Sequence, residues 1–109
     1  MNRIGSMVLA FCALATSTVA AQGAAAGAKL FVDQKCTLCH SVAGKGNVKG
    51  PLDDVGSRLS AADIRAWIED ANGMTAKTGA IRKPAMKAYT LEKADVDSLV
   101  AYLVTLKKK

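Results

Sequence analysis

Cys36-Thr37-Leu38-Cys39-His40 is the stretch whose reading decides the rest of this 109-residue chain. Its two thiols stand three positions apart, near enough on one helical turn to reach a common planar group, and an imidazole follows the second thiol directly. Three chemistries use such a pair. A redox-active dithiol belongs with a βαβ pattern, which the surrounding sequence lacks. A structural zinc site needs four ligands, and past residue 20 the chain offers no Cys or His beyond these three. The third chemistry captures the two vinyl groups of a c-type haem as thioethers and holds the histidine beneath the iron. The pattern C-x-x-C-H thus predicts Cys36 and Cys39 as haem thioethers and His40 as the proximal iron ligand. The expected cofactor is one covalent haem c with its iron.

Upstream, Arg3 is the one charge before Lys29. An apolar stretch from Ile4 to Leu14 follows it, and then small residues. These are the parts of a secretory signal peptide, predicted over residues 1–20 with cleavage near Ala20 or Ala21. An uncleaved anchor is the competing reading, weakened because the stretch is rich in Ala, Gly, Ser and Thr rather than Leu and Ile. A lipid-modified Cys12 is weaker still, since Phe11 stands where a small residue is needed. Residues 21–109 then form the exported domain, with no stable membrane insertion after cleavage. Export also suits covalent haem attachment and sets the expected location as periplasmic.

That exported domain is short of large side chains. Phe31, Trp67, Tyr89 and Tyr102 are its aromatics, and much of its apolar content is Ala and Val. Domains of this size bury a low fraction of their surface and often need a cofactor to hold them together. Ala24 to Lys35 reads as a first helix, and residues 41–59, with four glycines and Pro51, as loop. Ser60 is a helix N-cap, and Ile64, Trp67, Ile68 and Ala71 follow at helical spacing, so a second helix is predicted over 61–71 and ended by Asn72-Gly73. Residues 72–90 read as irregular. Thr90 is the expected cap of a last helix striped by Val96, Leu99, Val100, Leu103 and Leu106 and closed by the solvated Lys107–Lys109 end. No run alternates as a strand should. The fold class is all-α, three to four helices with long loops wrapped around the haem.

The sixth iron ligand can be approached by elimination. With one histidine in the chain, a second imidazole is excluded, and Met1 and Met7 fall within the signal segment. Met86 and Met74 remain. Met86 follows Pro84 in a stiffened loop and is the predicted distal ligand, with Met74 as the fallback.

The chain resembles the bacterial class I, monohaem c-type cytochromes over residues 24–107. Beyond the C-x-x-C-H motif, Gly27 and Phe31 are similar to the Gly and aromatic that the family packs against its last helix, where Leu99 and Tyr102 match a leucine and an aromatic. Gly50-Pro51-Leu52 resembles a family loop whose proline carbonyl accepts a hydrogen bond from the proximal histidine. This implies the Pro51 carbonyl as the partner that orients His40. Lys83-Pro84-Ala85-Met86 is similar to the axial-methionine loop. The resemblance also implies that Trp67 packs on the haem or reaches a propionate, ordinary core burial being the alternative.

A protein with both axial positions filled has no open iron site for a substrate, so the implied function is electron carriage between Fe(III) and Fe(II), and not an enzyme activity. A small haem subunit of a periplasmic dehydrogenase complex fits the same sequence. A five-coordinate sensor or haem enzyme fits less well, because the four-helix cytochromes of that kind carry their motif near the C-terminus. Lys35, Lys45, Lys49, Lys77, Arg82, Lys83 and Lys87 fall in two segments, 34–52 and 71–91, that hold no acid. They predict a basic rim that steers redox partners with acidic docking surfaces, a reductase or dehydrogenase as donor and an oxidase or other acceptor. Nucleic acid is excluded as a partner by export and by the lack of a stacking-aromatic pattern.

Overall fold

In the computed structural model, residues 16–108 are described. Helix α1 spans Thr16–Asp33 and is followed by a 3₁₀ turn at Cys36–Leu38. A two-residue hairpin, β1 Ser41–Val42 and β2 Lys45–Gly46, leads into α2 Val55–Arg58, α3 Ala61–Glu69, α4 Ala71–Thr78 and α5 Lys93–Leu103. The all-α class is correct, with five α-helices among the described residues. Residues 1–15, most of the predicted signal segment, lie outside them. Helix α1 begins eight residues before the expected Ala24, because the alanines at 20, 21 and 24–26 are strong helix formers.

Helices α1 and α5 cross at backbone distance. A Cβ on Gly27 would overlap the Ser98 carbonyl and fall 2.6 Å from the Tyr102 Cβ. One turn further on, Phe31 meets Tyr102 with ring centroids 5.9 Å apart and tilted by 59°, a favoured aromatic geometry. Phe31 joins Val55, Ile64, Ile68, Val96, Leu99, Val100 and Leu103 in one buried cluster. The predicted α5 stripe is therefore the core face as far as Leu103. Leu106 lies past the helix end, where its carbonyl accepts the Gly56 N–H at 2.7 Å. The lysine tail is thus not a helix end: α5 stops at Leu103, and the Lys108 N–H donates to Ser57 Oγ.

Ser60 caps α3 as expected, accepting the Asp63 N–H at 3.1 Å. Three boundaries differ from the sequence reading. Asn72-Gly73 does not end a helix but sits in the first turn of α4. The Asp70 carboxylate takes the Gly73 N–H at 3.2 Å, and a Cβ on Gly73 would strike that carboxylate. This glycine makes room for a cap. Thr90 does not cap α5, whose N-cap is Glu92, without a side-chain bond. The Tyr89 N–H is committed to the Ile68 carbonyl and Leu91 packs on the core, so the chain stays extended until residue 92. The hairpin was too short to show alternation. It is made by its turn, with Ala43 at φ 51° and Gly44 at φ 77°, the paired positive values of a tight hairpin, held by the Ala43 N–H donating to Asp53 at 2.7 Å.

Arg65 ties α3 to α5 through Asp97, which Lys93 also contacts at 3.0 Å. These cations hold the Asp97 carboxyl below its ordinary value. Its contribution to stability is complete above the ordinary aspartate range of about 4 and is lost as pH falls through the lower native value. Replacing Asp97 by Asn should flatten this acid limb in a titration of stability against pH, and high salt should mimic it. The helix crossing gives a sharper test. Gly27→Ala should destabilise the protein by about 1–3 kcal/mol through overpacking, lowering the thermal midpoint by about 4–8 °C per kcal/mol. Gly23→Ala, whose Cβ would sit 3.6 Å from that of Ala101, should leave the midpoint unchanged or raise it.

Candidate functional site

Helix α1 ends two residues before the motif, and Lys35 at φ 60° turns the chain into the 3₁₀ turn. Within it the Cys39 and His40 N–H groups both donate to the Cys36 carbonyl, at 3.2 and 2.9 Å. Both cysteines are half-buried and free. Asn47 locks the turn from outside: its side-chain amide donates to the Leu38 carbonyl at 3.1 Å, and its own N–H is shared between the Thr37 and His40 carbonyls. Gly46, at φ 105°, leaves space for the His40 carbonyl, which a Cβ would strike. The sequence reading missed both residues. A glycine followed by Asn, seven positions past Cys39, was the available signal.

His40 does not bond to Pro51. Its Nδ1–H donates to the Gly50 carbonyl at 3.0 Å. The reason lies in a parallel bridge between Ser41 and Pro51: the Ser41 N–H donates to the Gly50 carbonyl at 3.1 Å and the Leu52 N–H donates to the Ser41 carbonyl at 2.9 Å. Successive carbonyls of an extended chain point in opposite directions, so turning Gly50 toward His40 turns Pro51 away. A carbonyl can only accept, which fixes the proton on Nδ1 and leaves Nε2 as the bare nitrogen. Burial lowers the His40 pKa, the bond to Gly50 opposes that, and the Arg82 charge lowers it further. The imidazole is therefore kept neutral, as metal ligation requires.

A cavity of about 410 Å³ opens inside the core. Its walls include Phe31, Leu52, Val55, Leu59, Ile64, Ile68, Leu99 and Leu103, and Cys36, Cys39, His40, Pro51, Trp67, Tyr89 and Met86 also line it. The fold thus brings the predicted thiols, imidazole and thioether to one space. Met74 lines no part of it and is buried in α4 at 7% exposure. Trp67 is half-buried against the cavity rather than sealed in the core.

Protein interiors rarely keep voids larger than a water molecule, and six residues of the buried cluster double as walls here. The donor set explains the hollow. Two thiols on one turn, one neutral imidazole and one soft thioether around apolar walls fit a haem. They do not fit a dithiol oxidoreductase. Burial pushes the Cys36 thiol up despite the Tyr89 hydroxyl beside it, whereas reactive redox thiols are held low.

A groove beside Cys39 is lined by Leu38, Asn47, Lys49, Arg82, Lys83 and Pro84. All seven basic residues singled out in the sequence are exposed. Lys49, Arg82 and Lys83 meet at this groove, and Lys87 Nζ stands 5.2 Å from the centre of the Tyr89 ring. Leu38 and Ile81, at 69% and 87% exposure, add apolar surface to the same two segments.

Comparison with known proteins agrees with this geometry. The family model described as cytochrome c matches residues 24–107. Subunit 2 of cytochrome c oxidase from Alkalihalophilus pseudofirmus is 32% identical over 102 residues, covering 84% of this chain and 27% of the relative. The chain therefore spans about a quarter of that relative's length. No solved structure matches. A cytochrome c match over most of the chain, centred on a turn that carries two thiols and a neutral histidine into an apolar cavity, places this chain in the cytochrome c family of haem-binding electron-transfer proteins.

Proposed function

We propose that this chain is a periplasmic electron carrier holding one covalently attached haem c, with His40 and Met86 as axial ligands. The observation that carries the reading is the convergence of Cys36, Cys39, His40 and Met86 on one apolar cavity that excludes Met74. A bound haem supplies a one-electron Fe(III)/Fe(II) couple. The protein does the rest. Cys36 and Cys39 fasten the group by thioethers, His40 offers Nε2, and the Gly50 carbonyl keeps that nitrogen deprotonated and aimed. Met86, a soft and weak donor, favours the reduced state, and the apolar walls favour the lower-charged state by keeping water away. With both axial positions taken by protein, no coordination site remains for substrate, which supports carriage over catalysis.

Export is part of this reading. Residues 1–20 act as a signal peptide cleaved near Ala20 or Ala21, on the strength of Arg3, the short apolar centre and the small residues that follow. No helix among the described residues is long and apolar enough to cross a membrane. The partners are redox proteins with acidic faces, drawn to the groove where Lys49, Arg82 and Lys83 surround the Cys39 edge. A second reading, a haem-bearing subunit of a larger redox enzyme, is favoured by the relative's name as an oxidase subunit. Size-exclusion of the native protein separates the two: elution near the domain mass supports the carrier, and co-elution with an enzyme supports the subunit.

Two substitutions test the ligands. Met86→Ala should abolish the iron–sulfur charge-transfer band of the oxidised protein, while Met74→Ala should keep that band and cost about 2–5 kcal/mol of stability as a buried truncation. A band that survives in Met86→Ala and vanishes in Met74→Ala would exchange their roles. For the docking face, reversing Lys45, Lys49, Lys83 and Lys87 to Glu should slow reduction by an acidic partner about tenfold or more at low salt and flatten the ionic-strength dependence. An unchanged salt dependence would overturn the steering role.

A further inference from the structure

The side chain of Arg82 lies where no family resemblance places a function. Its guanidinium packs on the Cα of Gly50: a Cβ there would overlap Arg82 Nη1 and come within 2.9 Å of Cζ. Gly50 is the residue whose carbonyl receives the His40 Nδ1–H at 3.0 Å. Arg82 also lines both the main cavity and the groove beside Cys39. It comes from the segment that carries Met86, four residues on, so one side chain bridges the chain bearing the thioether and the loop that orients the imidazole. The glycine is what lets it approach.

We propose that Arg82 is a positioning residue for His40, its guanidinium biasing the Gly50 carbonyl that holds the imidazole and so setting the balance between the oxidised and reduced states of a bound haem. The proposal rests on His40 being the proximal ligand. A hydrogen bond from Nδ1–H to a carbonyl lends the imidazole anionic character, strengthens its donation to the iron and favours the oxidised state. A cation packed beside the residue that carries this carbonyl draws electron density from it and weakens its acceptance. Donation falls and the reduced state gains. The direct effect of the charge has the same sign, since a positive neighbour disfavours the more positive iron. No ion pair to Arg82 is present among the described residues, so its charge is not cancelled by a carboxylate.

The two effects can be separated in the haem-loaded protein. Arg82→Gln should lower the reduced-to-oxidised ratio at a fixed ambient potential by about threefold or more, and Arg82→Lys should restore part of it. Lys83→Gln removes the same charge one residue away and should shift the ratio less. In the reduced, diamagnetic protein, the His40 Nδ1–H resonance should move downfield in Arg82→Gln as its bond to Gly50 strengthens, and should stay in place in Lys83→Gln. Equal ratios and an unmoved resonance in Arg82→Gln would overturn the proposal. So would equal shifts in the Arg82→Gln and Lys83→Gln proteins, which would leave Arg82 as one surface charge among several. A wild-type His40 ring lacking the ring-current shift of an iron ligand would instead overturn the ligand reading, and this proposal with it. Gly50→Ala is the poorer probe, because its Cβ would also strike the Cys39 carbonyl.

Discussion

Helix α5 presses the Ser98 carbonyl against the Cα of Gly27, and nothing larger than hydrogen fits between them. That contact fixes the separation of the two long helices, and the site depends on the separation. Phe31, one turn beyond Gly27, can then reach Tyr102 and become a wall of the cavity, facing a space also bounded by Leu99 and Leu103 of α5. The Cys36–Leu38 turn starts where α1 ends, so its thiols are delivered at a height set by the same crossing. A wider crossing would move Phe31 and the turn together, away from the walls that α3 and α5 supply. One backbone contact therefore controls both the apolar surround and the position of the two thiols.

The elements legible in the sequence are those whose signal is local. C-x-x-C-H is read within five residues, Ser60 caps the helix it precedes, and the stripe from Val96 to Leu103 needs only a period. What escaped the reading depends on chain segments meeting from a distance. Asn47 and Gly46 matter because they close over the Leu38 and His40 carbonyls; a Gly-Asn pair signals a turn but not which carbonyls that turn meets. The choice of Gly50 over Pro51 turns on the direction of a single carbonyl, set by the bridge to Ser41. Gly73 shows the converse error: a residue that usually stops helices stands inside one because Asp70 needs room for its carboxylate. Propensity was overruled there by a cap, just as Thr90 was overruled by Tyr89 and Leu91, which the core claims first.

Charge is arranged in the opposite sense to the cavity. Inside, the titratable groups are kept in uncharged forms: burial raises the Cys36 thiol and the Tyr89 hydroxyl and lowers the His40 imidazole. Outside, the basic residues of the two site-bearing segments stay exposed, while Glu69 of α3 pairs with Arg65 and Asp97 of α5 pairs with both Arg65 and Lys93. Glu69 and Asp97 are thus occupied where they support the helix packing, and the cations near Cys39 form no ion pair among the described residues. A field of one sign survives over the edge of the site, over the stretch that an incoming partner would meet.

The two sides of the site are held with unequal stiffness, and the inequality suits the chemistry proposed for them. The His40 turn is secured by the two donations to the Cys36 carbonyl, by Asn47 at three points and by Gly50 on the ring itself. Between Ala80 and Glu92, by contrast, the one backbone hydrogen bond is that from the Tyr89 N–H to the Ile68 carbonyl, supplemented by the Tyr89 hydroxyl donating to the Gln34 carbonyl at 3.4 Å. Tyr89 is therefore the principal tether of the segment that carries Met86, three residues away. An imidazole is a strong donor whose orientation tunes the metal, so rigidity on its side sets the electronics. A thioether is a weak donor that gains most from being kept close, and a short tether through an adjacent aromatic does that without demanding a fully ordered loop. Arg82, reaching back from the lightly held segment to pack on Gly50 of the rigid one, is the point at which the two sides are mechanically joined.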